Sequence, residues 1–330
     1  MTDYKAIKGK TVLSLASDLG NAEGEGEIWF NTTSGDFKTI IAAGAWASGG
    51  NINQGKQVSF SIGTQTAAMA TGGYNAGPIA TTEQYDGSSW TEVADLNQAR
   101  GNIAGGSGTQ TAAIVAGGDQ YPGTRQTAYS ETWDNSSWTA TPALNTSRGA
   151  SSMFGTTNTA AVVVTGNSLG NHTPTGNAEL WDGSSWTEVA NVNTTRLASN
   201  ATGTSTAGML IAGDTPPPVN VKIVEEWDGS SWTETTDLNV ERRAHGASRG
   251  SNTSILVFGG RTGNPETDNV ATCESWDGSA WTEVADLATG RSNVGGAGSG
   301  NTSALCWGPA PTTAVEEFSE VATASSFTSS

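Results

Sequence analysis

A short aromatic unit repeats along this chain with nearly constant spacing. In each copy an aromatic residue is followed five positions later by a tryptophan, with a turn of Asp, Gly or Asn, and Ser between them. The copies recur every 46 to 49 residues, at Tyr85–Trp90, Trp133–Trp138, Trp181–Trp186, Trp227–Trp232 and Trp276–Trp281. Because tryptophan is a large apolar anchor that is stabilised by burial, this period indicates one structural unit repeated several times.

Three further landmarks keep the same spacing and extend the pattern to six copies. A basic residue stands at Lys56, Arg100, Arg148, Arg196, Arg242 and Arg291. A short apolar run that ends in glycine comes next, at residues 67–73, 112–118, 160–166, 207–213, 254–260 and 303–308. A glutamate then stands two residues before the aromatic residue, at Glu83, Glu131, Glu179, Glu225, Glu274 and Glu316.

Each copy predicts four β-strands. The segment after the basic residue, such as 101–107, is rich in Gly, Ala and Ser and fits an inner strand close to a narrow axis. The apolar run fits a strand buried on both faces. The Glu-x-Trp and Trp-Thr-Glu-Val segments fit a third and a fourth strand, joined by an Asp-Gly-Ser-Ser turn. Four-stranded units that repeat radially predict an all-β propeller, and the lack of helix-length amphipathic runs excludes a helical solenoid.

The N-terminal residues leave two blade counts open. Glu27 and Trp29 repeat the Glu-x-aromatic unit, with a possible strand before them at 11–18 and another after them at 37–41. If the tail of residues 322–330 completes this partial blade, the ring has seven blades, which is the count we favour. The alternative is six blades plus a separate N-terminal segment. We therefore divide the chain into an N-terminal segment, 1–41, and propeller repeats, 42–330.

The repeats resemble the kelch family from about residue 56 to residue 318. That family has two glycines after an apolar strand, an acidic residue before a tyrosine, and a tryptophan about six residues further on. The two glycines are intact at Gly72-Gly73, Gly117-Gly118 and Gly259-Gly260. The pair is degraded to Gly166-Asn167, Gly213-Asp214 and Gly308-Pro309. The resemblance implies a kelch-like β-propeller with four-stranded blades.

Charge and cysteine usage exclude several classes of partner. The chain has 15 Lys and Arg against 32 Asp and Glu, a formal net charge of −17 without a basic stripe. Such a surface repels nucleic acid and anionic membranes. Residues 1–10 lack the apolar core of a signal peptide, so we expect synthesis in the cytoplasm. Cys273 and Cys306 have no metal-ligand spacing, and their apolar surroundings predict buried free thiols.

No catalytic or metal-binding set is predicted. The repeated basic and glutamate residues fit structural ion pairs, since a reaction needs one asymmetric site rather than a ring of equal charges. The Asp-Gly-Ser-Ser-Trp turns resemble sialidase Asp-boxes but are one residue short, and copper chemistry would need more ligands than His172 and His245. We therefore predict no enzyme activity and no cofactor, although an acidic chain always offers paired carboxylates to a glycosidase.

The links between the second and third strands differ from repeat to repeat. They carry most of the distinctive side chains, which we take as candidate binding residues: Tyr74, Tyr121, Arg125, His172, Lys222 and Arg261. Divergent loops on a uniform framework are a common way for a rigid scaffold to carry recognition. The alternative is that the loops vary because nothing constrains them.

The opening of the chain resembles the start of virion proteins of marine tailed bacteriophages. The resemblance lies in residues 4–9, 14–18 and 26–33, and the Trp-Asp-Gly-Ser-Ser-Trp-Thr-Glu-Val units are similar to the kelch-like repeats of such proteins, especially in phages of cyanobacteria. It implies a non-enzymatic tail-fibre, capsid-fibre or decoration subunit in the virion, with residues 1–41 as a possible attachment segment.

The partners implied by this resemblance are other virion proteins, further copies of the chain, and a glycan or protein on the host surface. Nucleic acid and membrane insertion are not expected. Two alternatives from other classes are an intracellular kelch-type protein-interaction module and a carbohydrate-active enzyme.

Overall fold

The computed structural model describes residues 13–17, 28–120, 125–168, 173–216, 219–263 and 268–326. No helix occurs in these ranges, in agreement with the predicted all-β class. The chain forms two compact units, a propeller unit of residues 46–318 and a terminal unit of residues 1–45 and 319–330. The predicted boundary at residue 41 is close to this division, but the residues after Phe318 group with the terminal unit and not with the repeats.

The terminal unit contains two short strands and parts of two long ones. Strand β1 is Leu13–Leu15, β2 is Ile28–Asn31 and β3 is Asp36–Ser48. Strand β1 runs parallel to β2, and β2 is antiparallel to β3.

The propeller unit is built from six blades of four principal strands, which we number 1 to 6 in chain order. Blade 1 contains β4 (Phe60–Thr64), β5 (Ala67–Thr71), β6 (Thr82–Tyr85) and β7 (Trp90–Val93). The residues of blade 2 form β8 (Ile103–Ala104), β9 (Ser107–Thr109), β10 (Ala112–Ala116), β11 (Asp119–Gln120), β12 (Arg125–Gln126), β13 (Ser130–Trp133) and β14 (Trp138–Thr141). Those of blade 3 form β15 (Ser151–Thr157), β16 (Ala160–Val164), β17 (Asn167–Ser168), β18 (Thr173–Pro174), β19 (Ala178–Trp181) and β20 (Trp186–Val189).

The remaining three blades repeat this order. Blade 4 contains β21 (Asn200–Thr204), β22 (Ala207–Thr215), β23 (Val219–Trp227) and β24 (Trp232–Glu234). Blade 5 contains β25 (Gly246–Ala247), β26 (Ile255–Phe258), β27 (Cys273–Trp276) and β28 (Trp281–Val284). Blade 6 contains β29 (Gly295–Gly298), β30 (Ser303–Trp307) and β31 (Val315–Ser326), with β3 as its fourth strand. The pairs β11–β12 and β17–β18 are small hairpins in the links of blades 2 and 3, and β8 adds in parallel to β15.

The six blades close into a ring. The inner strands β4, β9, β15, β21, β25 and β29 each contact the next one, and β29 contacts β4. Closure occurs in blade 6, where the first residues of the propeller unit pair with its last strand. The Gly49 amide donates to the Val315 carbonyl at 3.0 Å, and the rings of Trp46 and Phe318 are 5.4 Å apart.

The structure therefore has the alternative blade count, six, and not the favoured count of seven. The β1–β2 pair is parallel, whereas the predicted partial blade required an antiparallel meander. The end of β3, near Trp46, supplies the fourth strand of blade 6 by pairing with β31. The tail from residue 322 belongs to the terminal unit. Trp29 is buried in β2, and Glu27 lies outside the described residues.

The strand patterns agree with their predicted positions. In the second strand of blades 1, 2, 3 and 6, the last four of five residues are buried, as expected for a strand between two neighbouring blades. In the third strand of blades 1 to 3, both the glutamate and the aromatic residue are buried. Cys273 and Cys306 are buried free thiols in one apolar cluster, as predicted, and burial raises the pKa of Cys273 to about 12.

The repeated indoles occupy matching niches. In blades 2 to 5 the paired Trp rings lie 5.2 to 5.4 Å apart with interplanar angles of 37° to 40°. The first indole of each pair donates to a carbonyl in the turn between the first and second strands, as Trp181 does to Asn158 at 3.0 Å. In blade 1 Tyr85 takes the first place, 5.0 Å from Trp90. The repeat is thus a repeat of environments as well as of residues.

Candidate functional site

Every blade carries a buried ion pair between the basic residue before its inner strand and the glutamate of its third strand. The pairs are Lys56–Glu83, Arg100–Glu131, Arg148–Glu179, Arg196–Glu225, Arg242–Glu274 and Arg291–Glu316. In blade 3 the Arg148 Nη2 to Glu179 Oε1 distance is 2.6 Å, and both side chains are buried. Burial lowers the pKa of Arg148, and the Glu179 charge opposes that shift. These charges are neutralised inside the blades and form part of the frame.

An asparagine that was not predicted to matter completes this frame. It stands three residues before the basic residue in five blades, at Asn53, Asn97, Asn145, Asn193 and Asn239. In blade 4 the Asn193 amide donates to Glu225 Oε2 at 2.7 Å, and its side chain donates to the Trp232 carbonyl at 2.9 Å. Blade 6 has Ala288 at this position and keeps only the backbone contact, to Glu316 at 2.8 Å. The constant spacing from the arginine was the signal that could have revealed these residues.

The candidate binding residues whose side chains the structure describes, Tyr74, Lys222 and Arg261, lie in three different blades. Tyr121 and His172 lie outside the described residues, and the Arg125 side chain is likewise not described. Tyr74 is half-buried against Gly101, where an added Cβ would lie 2.7 Å from Cδ2 of the ring. Lys222 is exposed in blade 4, whereas Arg261 is only 8 % exposed, in blade 5. The binding role of these residues stays a prediction.

At one end of the propeller axis, six backbone groups form a closed ring of hydrogen bonds. One residue per blade takes part, and its amide donates to the carbonyl of its counterpart in the preceding blade. The residues are Val58, Asn102, Ala150, Ala198, Ala244 and Asn293, with N to O distances of 2.6 to 3.4 Å. All six have positive φ, between 45° and 65°. They line a cavity of only about 60 Å³, so the axis is narrow at this end.

One position on the inner strands breaks the sixfold repetition. At the level where the strand turns back, blades 1, 2, 3, 4 and 6 have glycines, Gly63, Gly108, Gly155, Gly203 and Gly298. Each has positive φ, and a Cβ there would lie 2.1 to 2.4 Å from an oxygen atom, which in four cases is the carbonyl oxygen of the first residue of the second strand. Blade 5 has Arg249 at this level, and its backbone is outside the positive-φ region.

Five residues separate Arg249 from Ile255, as many as separate Gly155 from Ala161 in blade 3 and Gly298 from Ala304 in blade 6, so the length of the turn does not set blade 5 apart. Strand β25 ends at Ala247, and the Ser248 hydroxyl accepts from the Leu256 amide at 2.9 Å. The Arg249 amide donates to the Gly298 carbonyl of blade 6 at 2.9 Å. Arg249 was not among the predicted site residues, since its level on the inner strand is visible only once the strand register is known.

The Arg249 side chain lies across the axis. Its Nη1 donates to the Ala201 carbonyl of blade 4 at 2.8 Å, and its Nε donates to the Gly296 carbonyl of blade 6 at 3.2 Å. It also faces Gly105 in blade 2, the blade opposite in the ring, where an added Cβ would lie 2.3 Å from Nη1. Arg249 is 7 % exposed, and no described carboxylate forms an ion pair with it. Burial lowers its pKa to about 10, so it stays cationic at neutral pH.

Arg249 lines a cavity of about 380 Å³, which we call the axial pocket. Its other walls are the turns between first and second strands, with side chains of Thr64, Thr109, Gln110, Thr156 and Ser299. The floor includes several of the inner-strand glycines. The pocket therefore combines one cation, several hydroxyl groups and little steric obstruction.

His245 is a second titratable group on the axis. It is 2 % exposed in blade 5 and contributes to the narrow cavity beside the backbone ring. Burial, with smaller contributions from the charges of Arg242 and Arg249, lowers the pKa of His245 to about 3, so it is neutral at physiological pH. Among the described residues no group of three or more His, Cys, Asp or Glu could hold a metal ion. The same residues include no helix long and apolar enough to cross a membrane.

Comparison with known proteins gives a fold and no family. No protein-family model matches the chain, and no curated protein matches it. A solved structure described as "Structure of YjhT", a β-propeller, matches with a TM-score of 0.67 and 13 % identity. The match covers 83 % of this chain and 99 % of YjhT. At this identity the similarity shows that the chain has a β-propeller fold.

Proposed function

We propose that this chain is a virion structural protein, a tail-fibre, capsid-fibre or decoration subunit, whose propeller binds glycans on the host surface without catalysing a reaction. The observation that carries the binding role is the axial pocket, the one position where a cationic side chain replaces the glycine of five other blades. The resemblance of residues 4–9, 14–18 and 26–33 and of the kelch-like repeats to virion proteins of marine tailed phages supports the location in the virion.

The frame supports attachment rather than turnover. Its six basic residues are each paired with a glutamate inside a blade, and its indoles pack in matching niches. A closed ring of this kind presents a pocket on rigid elements, which reduces the ordering cost of binding. An intracellular protein-interaction module is the second candidate function, and a carbohydrate-active enzyme is the third.

Labelling and competition on intact particles test the proposal. Antibodies raised against this chain should label particles of the phage that encodes it, and the purified protein should compete with those particles for adsorption to host cells. Incubation of the protein with host glycans should leave their masses unchanged. Unlabelled particles that contain no copy of the chain would exclude the virion role, and a changed glycan mass would favour the enzyme.

A further inference from the structure

We infer that the axial pocket binds a carboxylate-bearing monosaccharide unit, with Arg249 holding its carboxylate. This inference names a ligand class for the proposed glycan attachment and rests on that function only for its biological setting. The pocket itself is described by the structure, independently of any place on a virion.

The charge of the guanidinium is the first reason. A buried charge is stable only when it is paired or fully hydrogen-bonded. Every basic residue of the frame meets this need with a glutamate, whereas Arg249 contacts only two backbone carbonyls. Those carbonyls use Nε and Nη1, and Nη2 donates to no described residue. A carboxylate in the pocket would complete the pairing.

The geometry of the donors is the second reason. Arginine has five N–H groups in a planar fork that matches a carboxylate through two parallel hydrogen bonds. With one hydrogen on Nε and one on Nη1 donated to the protein, three N–H hydrogens remain, one on Nη1 and two on Nη2. The carbonyls of Ala201 and Gly296, from the two flanking blades, fix the orientation of the guanidinium.

The lining and size of the pocket are the third reason. Thr64, Thr109, Thr156 and Ser299 line the same pocket as Arg249, and their hydroxyls can donate to or accept from ring hydroxyls of a sugar. A volume of about 380 Å³ is in the range of small-molecule sites and suits a sugar unit. The glycines at this level leave the floor open to close approach.

The number of charges in the pocket limits the ligand further. One cation in a protein of net charge −17 suits a single negative charge and disfavours polyanions such as nucleic acids. The backbone ring narrows the axis at its other end, so a ligand would enter from the turns that form the pocket wall. The inferred ligand is therefore a terminal or exposed acidic sugar, small enough to enter by one mouth.

Direct binding of simple acidic sugars tests the inference. The full chain would be titrated by NMR with D-glucuronate, D-galacturonate and D-mannuronate, with D-glucose as the neutral partner and acetate as the simple carboxylate. We expect at least one uronate to bind about tenfold or more tightly than both glucose and acetate. Equal binding of acetate would overturn the sugar assignment, and no binding of any uronate at millimolar concentration would overturn the inference.

Matched variants locate the site. Arg249→Gln should lose about tenfold or more in uronate affinity, while Arg249→Lys should keep part of it, because lysine retains the charge without the fork. Arg243→Gln is the control, since Arg243 pairs with Asp214 at 3.3 Å beside the backbone ring. Unchanged uronate binding in Arg249→Gln would overturn the assignment, and if that variant does not fold, full retention of uronate affinity in Arg249→Lys would overturn it.

The two proposals can fail separately. A chain that is found on virions and blocks adsorption but binds no uronate keeps the proposed function and loses this inference. A chain that binds uronate through Arg249 but is absent from particles loses the virion role and keeps the pocket.

Discussion

Blade 5 shares a buried frame with the other five blades and departs from them where its inner strand turns back. In all six, a buried basic residue meets a buried glutamate, and in blades 2 to 5 two indoles pack at nearly the same distance and angle. Where the inner strand turns back, five blades have a glycine and blade 5 has Arg249. The buried ion pairs and the packed indoles recur around the closed ring. Arg249, the one departure from the glycines at this level, places a positive charge at the axis.

Repetition of the blades and binding of a ligand place opposite demands on the inner strands. A repeated position must fit its neighbours in every blade, and here that requires glycines whose Cβ would collide with an oxygen in all five cases. A binding position must be different in one blade. Blade 5 satisfies both, because it carries Arg249 at this level and keeps its buried ion pair and its paired indoles.

The largest expected effect comes from breaking a frame pair. Glu179→Gln should lower the free energy of unfolding by about 3–5 kcal/mol, because it leaves the Arg148 guanidinium buried without a carboxylate. Urea denaturation followed by tryptophan fluorescence measures this change. The double variant Arg148→Met with Glu179→Leu is the control and should cost far less, since no unpaired charge remains. If Glu179→Gln lowered the free energy of unfolding by less than about 1 kcal/mol, the buried ion pairs would not be a major source of stability.

A smaller effect is expected from the position that distinguishes the blades. Gly203→Ala should lower the free energy of unfolding by about 1–3 kcal/mol, since φ is +113° and the Cβ would lie 2.3 Å from the Ala207 carbonyl oxygen. Arg249→Ala at the equivalent level should change it by less than about 1 kcal/mol, because no carboxylate is left unpaired. The comparison between the blades would break down if Arg249→Ala proved as costly as Gly203→Ala in the same denaturation experiment.

The asparagine position offers a change with opposite signs in two blades. Asn193→Ala should cost about 1 kcal/mol, because it removes the hydrogen bond to the Trp232 carbonyl. Ala288→Asn in blade 6 should add up to about 1 kcal/mol by restoring the residue that the other blades have. Both changes can be read from denaturation midpoints. A destabilising Ala288→Asn would show that blade 6, which closes with β3, does not share this part of the frame.

The smallest effect concerns the exposed turns between the third and fourth strands. Hydrogen bonds from the Ser184 hydroxyl and from the amides of Ser185 and Ser184 lower the pKa of Asp182 from 3.8 to about 2. Because the folded pKa lies below the ordinary value, this contribution to stability is full above pH 3.8 and is lost as the pH falls toward 2. Carboxyl NMR titration should give about 2 for Asp182 and a higher pKa in Ser184→Ala. Equal pKa values in both proteins would show that the serine hydroxyl is not the cause of the shift.

Much of the frame could be predicted from residue spacing. The four-stranded blades, the pairing of Arg148 with Glu179 and the niches of Trp181 and Trp227 all follow from a period in the sequence, because equivalent positions in a ring of equal units meet equal neighbours. The blade count could not be predicted in the same way. Trp29 repeats the aromatic signal, but only strand pairing shows that β1 runs parallel to β2 and that residues near Trp46 complete blade 6.

The candidate site could not be predicted from the spacing of residues in the sequence. The side chains of the variable links attract attention because they differ, yet Tyr74 is half-buried against Gly101 and Arg261 is nearly buried. Arg249 lies in a Gly- and Ser-rich segment whose composition predicts an inner strand like those of the other blades. Its role depends on which carbonyls lie within reach across the axis, and those come from blades 4 and 6, about 50 residues away on either side.

The sequence by itself determined the repeating unit, because each blade is a local four-stranded meander whose strands, turns and buried pair lie within about 48 residues. The tertiary structure decided how many units close the ring and what lies at its centre. Both depend on contacts between distant segments, the end of β3 with β31 and Arg249 with the opposite blade, and such contacts form only when all six blades meet at one axis.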